Sequence, residues 1–118
     1  MSADRLTPEA ALAALAHEPA GLPYMTLFEH GSLDVEIYRP VGSDRQTPHT
    51  RDELYVVIAG HGDFVCAGER RPFAVGEVLF APAGAAHRFE NFSADFSTWV
   101  FFYGPEGGEA AQPGQPTQ

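Results

Sequence analysis

Gly76-Glu77-Val78-Leu79-Phe80-Ala81-Pro82-Ala83-Gly84-Ala85-Ala86-His87-Arg88-Phe89-Glu90-Asn91 is a strand, a bend and a second strand written in sixteen residues. Val78 to Ala81 is a short apolar run, and Pro82-Ala83-Gly84 is a turn signal that ends it. Gly76 can accept a positive φ where the run begins, and the Pro-x-Gly step sets a sharp bend. Strand character resumes at His87 and continues through Phe89 to Glu90. A histidine therefore stands at the first position after the bend.

Short strands of the same kind flank this unit. Leu54 to Ala59 is almost entirely apolar and ends at Gly60, followed by His61 and Gly62. Phe64 to Cys66, Phe73 to Val75 and Thr98 to Tyr103 are further strand candidates, with Ala67-Gly68-Glu69 as a turn signal. Upstream, Leu33, Val35 and Ile37 alternate with Asp34, Glu36 and Tyr38, a half-buried strand that ends before Pro40. Many short strands with frequent turns predict an all-β, antiparallel sandwich or small barrel over residues 24–103. Residues 1–23 are expected to form an N-terminal helical arm. Thr7 caps it, Pro8 takes its first position, Leu12, Leu15 and Ala16 give it an apolar stripe, and Pro19, Gly21 and Pro23 stop it. Residues 104–118, rich in Gly, Pro, Gln and Glu, are expected to be a flexible tail.

Composition narrows the function classes. A chain of 118 residues that is 44% apolar with nine Phe fills one modest core. Its net charge is -9, and its seven basic residues are all Arg and scattered, which disfavours nucleic acid and anionic membrane surfaces as partners. The single cysteine, Cys66, allows no internal disulfide and reads as packing within a strand. No apolar run has the length of a signal segment or a membrane span, so a cytoplasmic setting is expected.

The chemistry concentrates in His49, Glu53 and His87. His49 and Glu53 are an even number of residues apart, so in an extended chain both point to one face, shared with Arg51 and Tyr55. If that face is inward, a charge inside the barrel mouth is costly unless paired, and a metal ion resolves the cost. His87, at the start of its strand, can approach the pair from a neighbour. Two His and one Glu suit one divalent transition metal, Fe, Mn, Ni, Zn or Cu, and leave coordination positions open for water or substrate. The alternative is that these histidines make ordinary hydrogen bonds near a loop. Tyr38, Arg39, Arg51, Tyr55, Arg88 and Trp99 are candidate pocket residues. An inward Arg would bind a substrate carboxylate, whereas an outward one makes a rim ion pair. His17, His30 and His61 read as exposed turn residues, and Asn91 as a loop tie through its amide.

The quoted stretch resembles the second signature of the cupin superfamily, with Gly76, Pro82, Gly84, His87 and Asn91 at the family's offsets. His49-Thr-Arg-Asp-Glu53, followed by six residues and Gly60, is similar to the later half of the first signature. The resemblance covers roughly residues 33–103 and implies a jelly roll with His49, Glu53 and His87 as metal ligands inside it. A further His usually stands two residues before the first ligand, and this chain has Thr47 there. The resemblance thus implies a three-ligand site, with Thr47 at most a partner to metal-bound water.

Two functional classes follow. One is a metal-dependent enzyme on a small organic molecule, anionic if an inward Arg faces the site, either dioxygenase-like or isomerase- or decarboxylase-like. The other is a non-catalytic barrel that binds or senses a small molecule. Trp99, Phe101 and Tyr103 alternate with Thr98, Val100 and Phe102, so both faces of that strand are largely apolar. The second face is expected to meet another subunit in a homodimer.

Overall fold

A computed structural model describes residues 5–110 of the chain. The expectations for residues 1–4 and for 111–118, the greater part of the expected tail, lie outside the described residues. The order of elements is α1 (Pro8–Ala16), β1 (Tyr24–His30), β2 (Leu33–Tyr38), β3 (Asp52–Ala59), β4 (Gly62–Cys66), β5 (Glu69–Phe73), β6 (Val78–Ala81), β7 (His87–Glu90) and β8 (Ser97–Tyr103). The strands form two antiparallel sheets, β1-β2-β8-β3-β6 and β5-β4-β7. Face to face they make an antiparallel jelly-roll sandwich carrying one short N-terminal helix.

Local chemistry accounts for the elements. Thr7 is extended and its side chain accepts from the Ala10 N–H, while Pro8 opens α1 where no N–H is needed. The hairpin from β4 to β5 turns on Ala67 and Gly68, both at positive φ. At Gly60 a side chain would not fit. Its φ is +87°, and an added Cβ would lie 2.6 Å from Ser93 Oγ and 2.7 Å from Phe96 Cα. The backbone can cross there only because glycine has no Cβ.

Aromatic rings fill the space between the sheets. Phe89 of β7 lies 4.9 Å from Tyr55, 5.2 Å from Phe64, 5.4 Å from Phe73 and 4.7 Å from Phe96, centroid to centroid. Tyr55, Phe89 and Phe96 are at most 1% exposed. Emptying such a position typically costs roughly 3–5 kcal/mol, so the strand that carries His87 is firmly held two residues further on.

Several expectations need correction. The strand expected at Phe73 to Val75 is instead β5, Glu69–Phe73, whose first four residues are exposed. An edge strand with both faces wet carries no apolar alternation to read. β1 is a strand beyond those expected, and a register shift between Thr26 and Phe28 breaks the period of two that would mark it in the sequence. The segment after Tyr103, expected to be loose, begins docked: the Gly107 N–H donates to the Thr50 carbonyl and the Glu109 N–H to the Asp52 carboxylate. Among the described residues no helix is long and apolar enough to cross a membrane.

Candidate metal centre

The register places one face of the five-stranded sheet around a cleft. Glu36 pairs with Val100, Tyr55 pairs with Val100, and Glu53 pairs with Phe102 and Ala81. These side chains share a face by alternation, and Glu36, Glu53, Val100 and Phe102 line an open cleft of about 920 Å³. The strand β2 thus turns Glu36 and Tyr38 towards the cleft, while Val35 and Ile37 occupy the opposite face.

His49 and Glu53 line the cleft's inner end, and the buried His87 converges on them. One ligand atom from each lies within 4.8 Å of the others. His49 Nδ1 and His87 Nε2 are each 3.0 Å from the same oxygen, Glu53 Oε1. The Glu53 and His87 side chains are 1% exposed, whereas His49 is 33% exposed and forms the side open to the cleft.

Two loops hold the histidines in place. Gly84 N–H donates to the His49 carbonyl at 2.7 Å, and Ala83 N–H donates to Asp52 Oδ1 at 2.9 Å. The Pro82-Ala83-Gly84 bend is therefore fastened to the segment that carries His49. On the far side of the bend, His87 Nδ1 lies 2.9 Å from the Ala85 carbonyl. A carbonyl only accepts, so Nδ1 carries the proton and, in the neutral ring, Nε2 is left with its lone pair.

That lone pair supplies the test of fit. His87 Nε2 is buried and has no hydrogen-bond partner, although Glu53 Oε1 is only 3.0 Å away. A neutral imidazole nitrogen and a carboxylate oxygen facing each other are two acceptors with nothing between them to share, which is costly in a buried site. A proton or a cation resolves it. Two donors each about 2.1 Å from one ion lie roughly 3 Å apart, so the spacing and the nitrogen and oxygen donor set suit a first-row divalent metal.

The titration of the pair reflects the same contacts. Burial pushes the Glu53 carboxyl up, but the two imidazoles outweigh it and hold its pKa below the ordinary carboxylate value. For His87 burial acts to lower the pKa, and the contacts with Glu53 and the Ala85 carbonyl overcome it, leaving a net rise.

The other candidate pocket residues divide. Tyr38, Arg39 and Thr47 line the cleft. Tyr55 is fully buried beneath it and donates to Gln46 Oε1. Arg51 is turned away: Nη1 pairs with Asp34 at 3.0 Å and Nε donates to the Gly104 carbonyl. The face it was expected to share fails because β3 begins only at Asp52, so strict alternation does not reach residue 51. Arg88 is exposed on the outer side of β7 and pairs with Glu90. Trp99 stands opposite Ile37 and Val56, on the face away from the cleft. Asn91 donates from its amide to Asp63 Oδ2 and takes φ +53°.

Sequence reasoning missed three groups. Asp44 accepts from Tyr38 OH, Gln46 and the Phe89 N–H, tying the loop that precedes His49 to β2 and β7. Gln46 links Asp44 to Tyr55. Glu36 lines the cleft, and its shared parity with Tyr38 was the available signal.

Comparisons with known proteins agree with this architecture. A family model described as Cupin domain matches residues 35–103. An uncharacterized protein of Streptomyces coelicolor, SCO3923, is 34% identical over 85 residues, covering 70% of this chain and 81% of its own. Among solved structures, protein NMB1881 of Neisseria meningitidis superposes with a TM-score of 0.65 at 16% identity, covering 85% of this chain and 99% of that one. A Cupin 2 conserved barrel domain protein of Salinispora arenicola superposes with a TM-score of 0.59 at 22% identity, covering 71% and 76%.

Proposed function

Because the chain belongs to the cupin family, we propose that it is a metal-dependent enzyme acting on a small, anionic organic molecule, with His49, Glu53 and His87 holding one divalent transition metal. The observation that carries this reading is the convergence of His49 Nδ1 and His87 Nε2 on one buried Glu53 oxygen, each at 3.0 Å, which only a proton or a cation between them satisfies. When bound, such an ion supplies Lewis acidity, and a redox-active one also supports dioxygen chemistry, the two capabilities that separate an isomerase or decarboxylase from a dioxygenase.

The chain's own residues account for binding and positioning. Arg39 and Arg45 are exposed and line the cleft, and neither has an ion-pair partner among the described residues. They suit the carboxylate of an incoming acid. Tyr38, Asp44, Gln46 and Tyr55 form a hydrogen-bonded wall that fixes the loop bearing Thr47 and His49. The family pattern places a third histidine, and so a fourth ligand, where Thr47 stands, and that substitution is what favours the second reading, a binding or sensing cupin without turnover.

The assembly we propose is a homodimer formed through the face away from the cleft. Register aligns Val78, Val56, Trp99, Ile37 and Met25 in one row, and Phe80, Leu54, Phe101, Val35 and Phe28 in the next. Every member of both rows is apolar; Val35 and Ile37 are already buried within the chain, and the exposed part of the rows is led by Val78, 62% exposed. The compartment we assign is the cytoplasm, where a lone unpaired cysteine such as Cys66 is ordinary.

Loading the protein in turn with Fe(II), Mn(II), Ni(II), Zn(II) and Cu(II) and screening small organic acids for product by NMR and for oxygen uptake tests the enzyme reading. Turnover that disappears in His87→Ala supports it. Saturable binding without turnover by any loaded form transfers the function to the binding reading.

A further inference from the structure

The walls of the cleft are of two kinds. Its inner end holds Glu36 and, from the triad, His49 and Glu53, while its outer part is built from Leu12, Leu15 and Ala16 of α1 and from Leu22, Tyr24 and Val41. Leu22 is 43% exposed, Tyr24 45% and Val41 84%. These are three of the five exposed large hydrophobic side chains among the described residues, and all three border this one cleft. Exposed apolar side chains gathered around a concave opening mark a surface that something apolar covers.

Glu36 is the polar counterpart of that rim. It belongs to β2, two strands away from Glu53, and its side chain has one hydrogen-bond partner among the described residues, the Thr26 hydroxyl at 3.2 Å. No cation pairs with it among the described residues. A half-buried carboxyl group with most of its capacity unused, set between an apolar rim and a metal-binding triad, is placed to take an O–H or N–H from a ligand. Burial raises its pKa, against the pull of the Thr26 hydrogen bond, as expected for a group shielded from water.

We infer that the cleft takes an organic acid with a bulky apolar body and an adjacent hydroxyl or amine group, the body lying against Leu15, Leu22, Tyr24 and Val41 and the donor hydrogen on Glu36. The cleft volume of about 920 Å³ falls in the range that holds a ligand of several rings, roughly 300–1,000 Å³. A compact diacid would leave the rim bare. This specificity deepens the enzyme reading and rests on it only for the end of the ligand that meets the triad.

The experiment compares 1-hydroxy-2-naphthoate, which carries the apolar body and the hydroxyl, with malonate, which carries neither, by isothermal titration calorimetry on zinc-loaded and chelator-treated protein. The inference expects the naphthoate to bind at least about tenfold more tightly than malonate. Leu22→Ser with Val41→Ser, both at exposed positions, should cut that preference severalfold while leaving malonate unchanged, and Glu36→Gln should weaken the naphthoate alone. Equal affinities, a preference untouched by these variants, or no binding of the naphthoate to either form overturns it. Failure of the metal reading looks different: zinc uptake is then absent by elemental analysis, while the rim-dependent preference persists in the chelator-treated protein. Thermal melts confirm that each variant is folded.

Discussion

The peptide N–H of Gly84 donates to the carbonyl oxygen of His49 at 2.7 Å, so the bend that launches one candidate ligand is fastened to the residue that carries another. With Ala83 bonded to Asp52 one step away, the two histidine segments behave as one support. Convergence of the triad is thereby built into the backbone and does not depend on an ion to draw the loops together.

Asp52 is the test of that support. It is 5% exposed and its carboxylate accepts from both the Ala83 and the Glu109 N–H. Asp52→Ala removes two charge-assisted hydrogen bonds and should destabilise the fold by roughly 2–4 kcal/mol, read by urea denaturation. Metal affinity should fall with it although Asp52 is not a ligand. Unchanged affinity in a folded Asp52→Ala protein would show that the bend holds His87 without help.

Gly60→Ala should be more damaging than an ordinary surface change. The new methyl meets Ser93 Oγ and the Phe96 backbone closer than 3 Å, at a φ that side chains rarely adopt. A loss of more than about 2 kcal/mol is expected by the same denaturation assay. Gly76→Ala, with positive φ but nothing within 4 Å, should cost less.

The metal-free protein should have a stability maximum in mildly acid solution. Glu53 has a folded pKa below its ordinary 4.5, so its contribution is present above that value and is lost as pH falls through the folded pKa. His87 has a folded pKa above its ordinary 6.5, so its contribution is complete below that value and is lost as pH rises through the folded pKa. Melting temperature after chelation should therefore peak between about 4.5 and 6.5 and decline on both sides. With metal present stability should instead already fall as pH drops through the histidine range, since protons compete for the imidazole nitrogens and release the ion. A melting curve of the chelated protein that rises steadily to pH 8 would contradict this account.

Assembly is checked by sedimentation. At micromolar concentration the chain is expected at twice its 12.8 kDa mass, and Val78→Glu, at an exposed position of the apolar rows, should shift it towards monomer. A native chain that sediments only as monomer would remove the dimer.

Much of this fold was legible locally. The run Val78 to Ala81, the Pro82-Ala83-Gly84 bend and the strand from His87 to Glu90 appear as β6, a turn and β7 with the same limits, because an apolar run bounded by Gly and Pro has few other solutions. Alternation identified β2 but not which of its faces meets the cleft, since the rows on its other face are apolar too. The parity argument brought His49 and Glu53 together yet failed for Arg51. His49 precedes the strand and is positioned by its bond to Gly84, a contact 35 residues distant that no local pattern encodes. Glu36 and Gln46 reach the cleft through the sheet order β1-β2-β8-β3-β6 and through a loop network, both products of tertiary packing.

The central claim is that one metal ion sits among His49, Glu53 and His87, and an anomalous difference map collected at the metal's absorption edge from metal-replete crystals measures it directly. The account predicts one strong peak within bonding distance of His87 Nε2 and Glu53, with elemental analysis near one ion per chain. His87→Ala should lower occupancy sharply, and His61→Ala, at an exposed turn, should leave it unchanged. A peak elsewhere in the protein, or none after metal-replete purification, would contradict it.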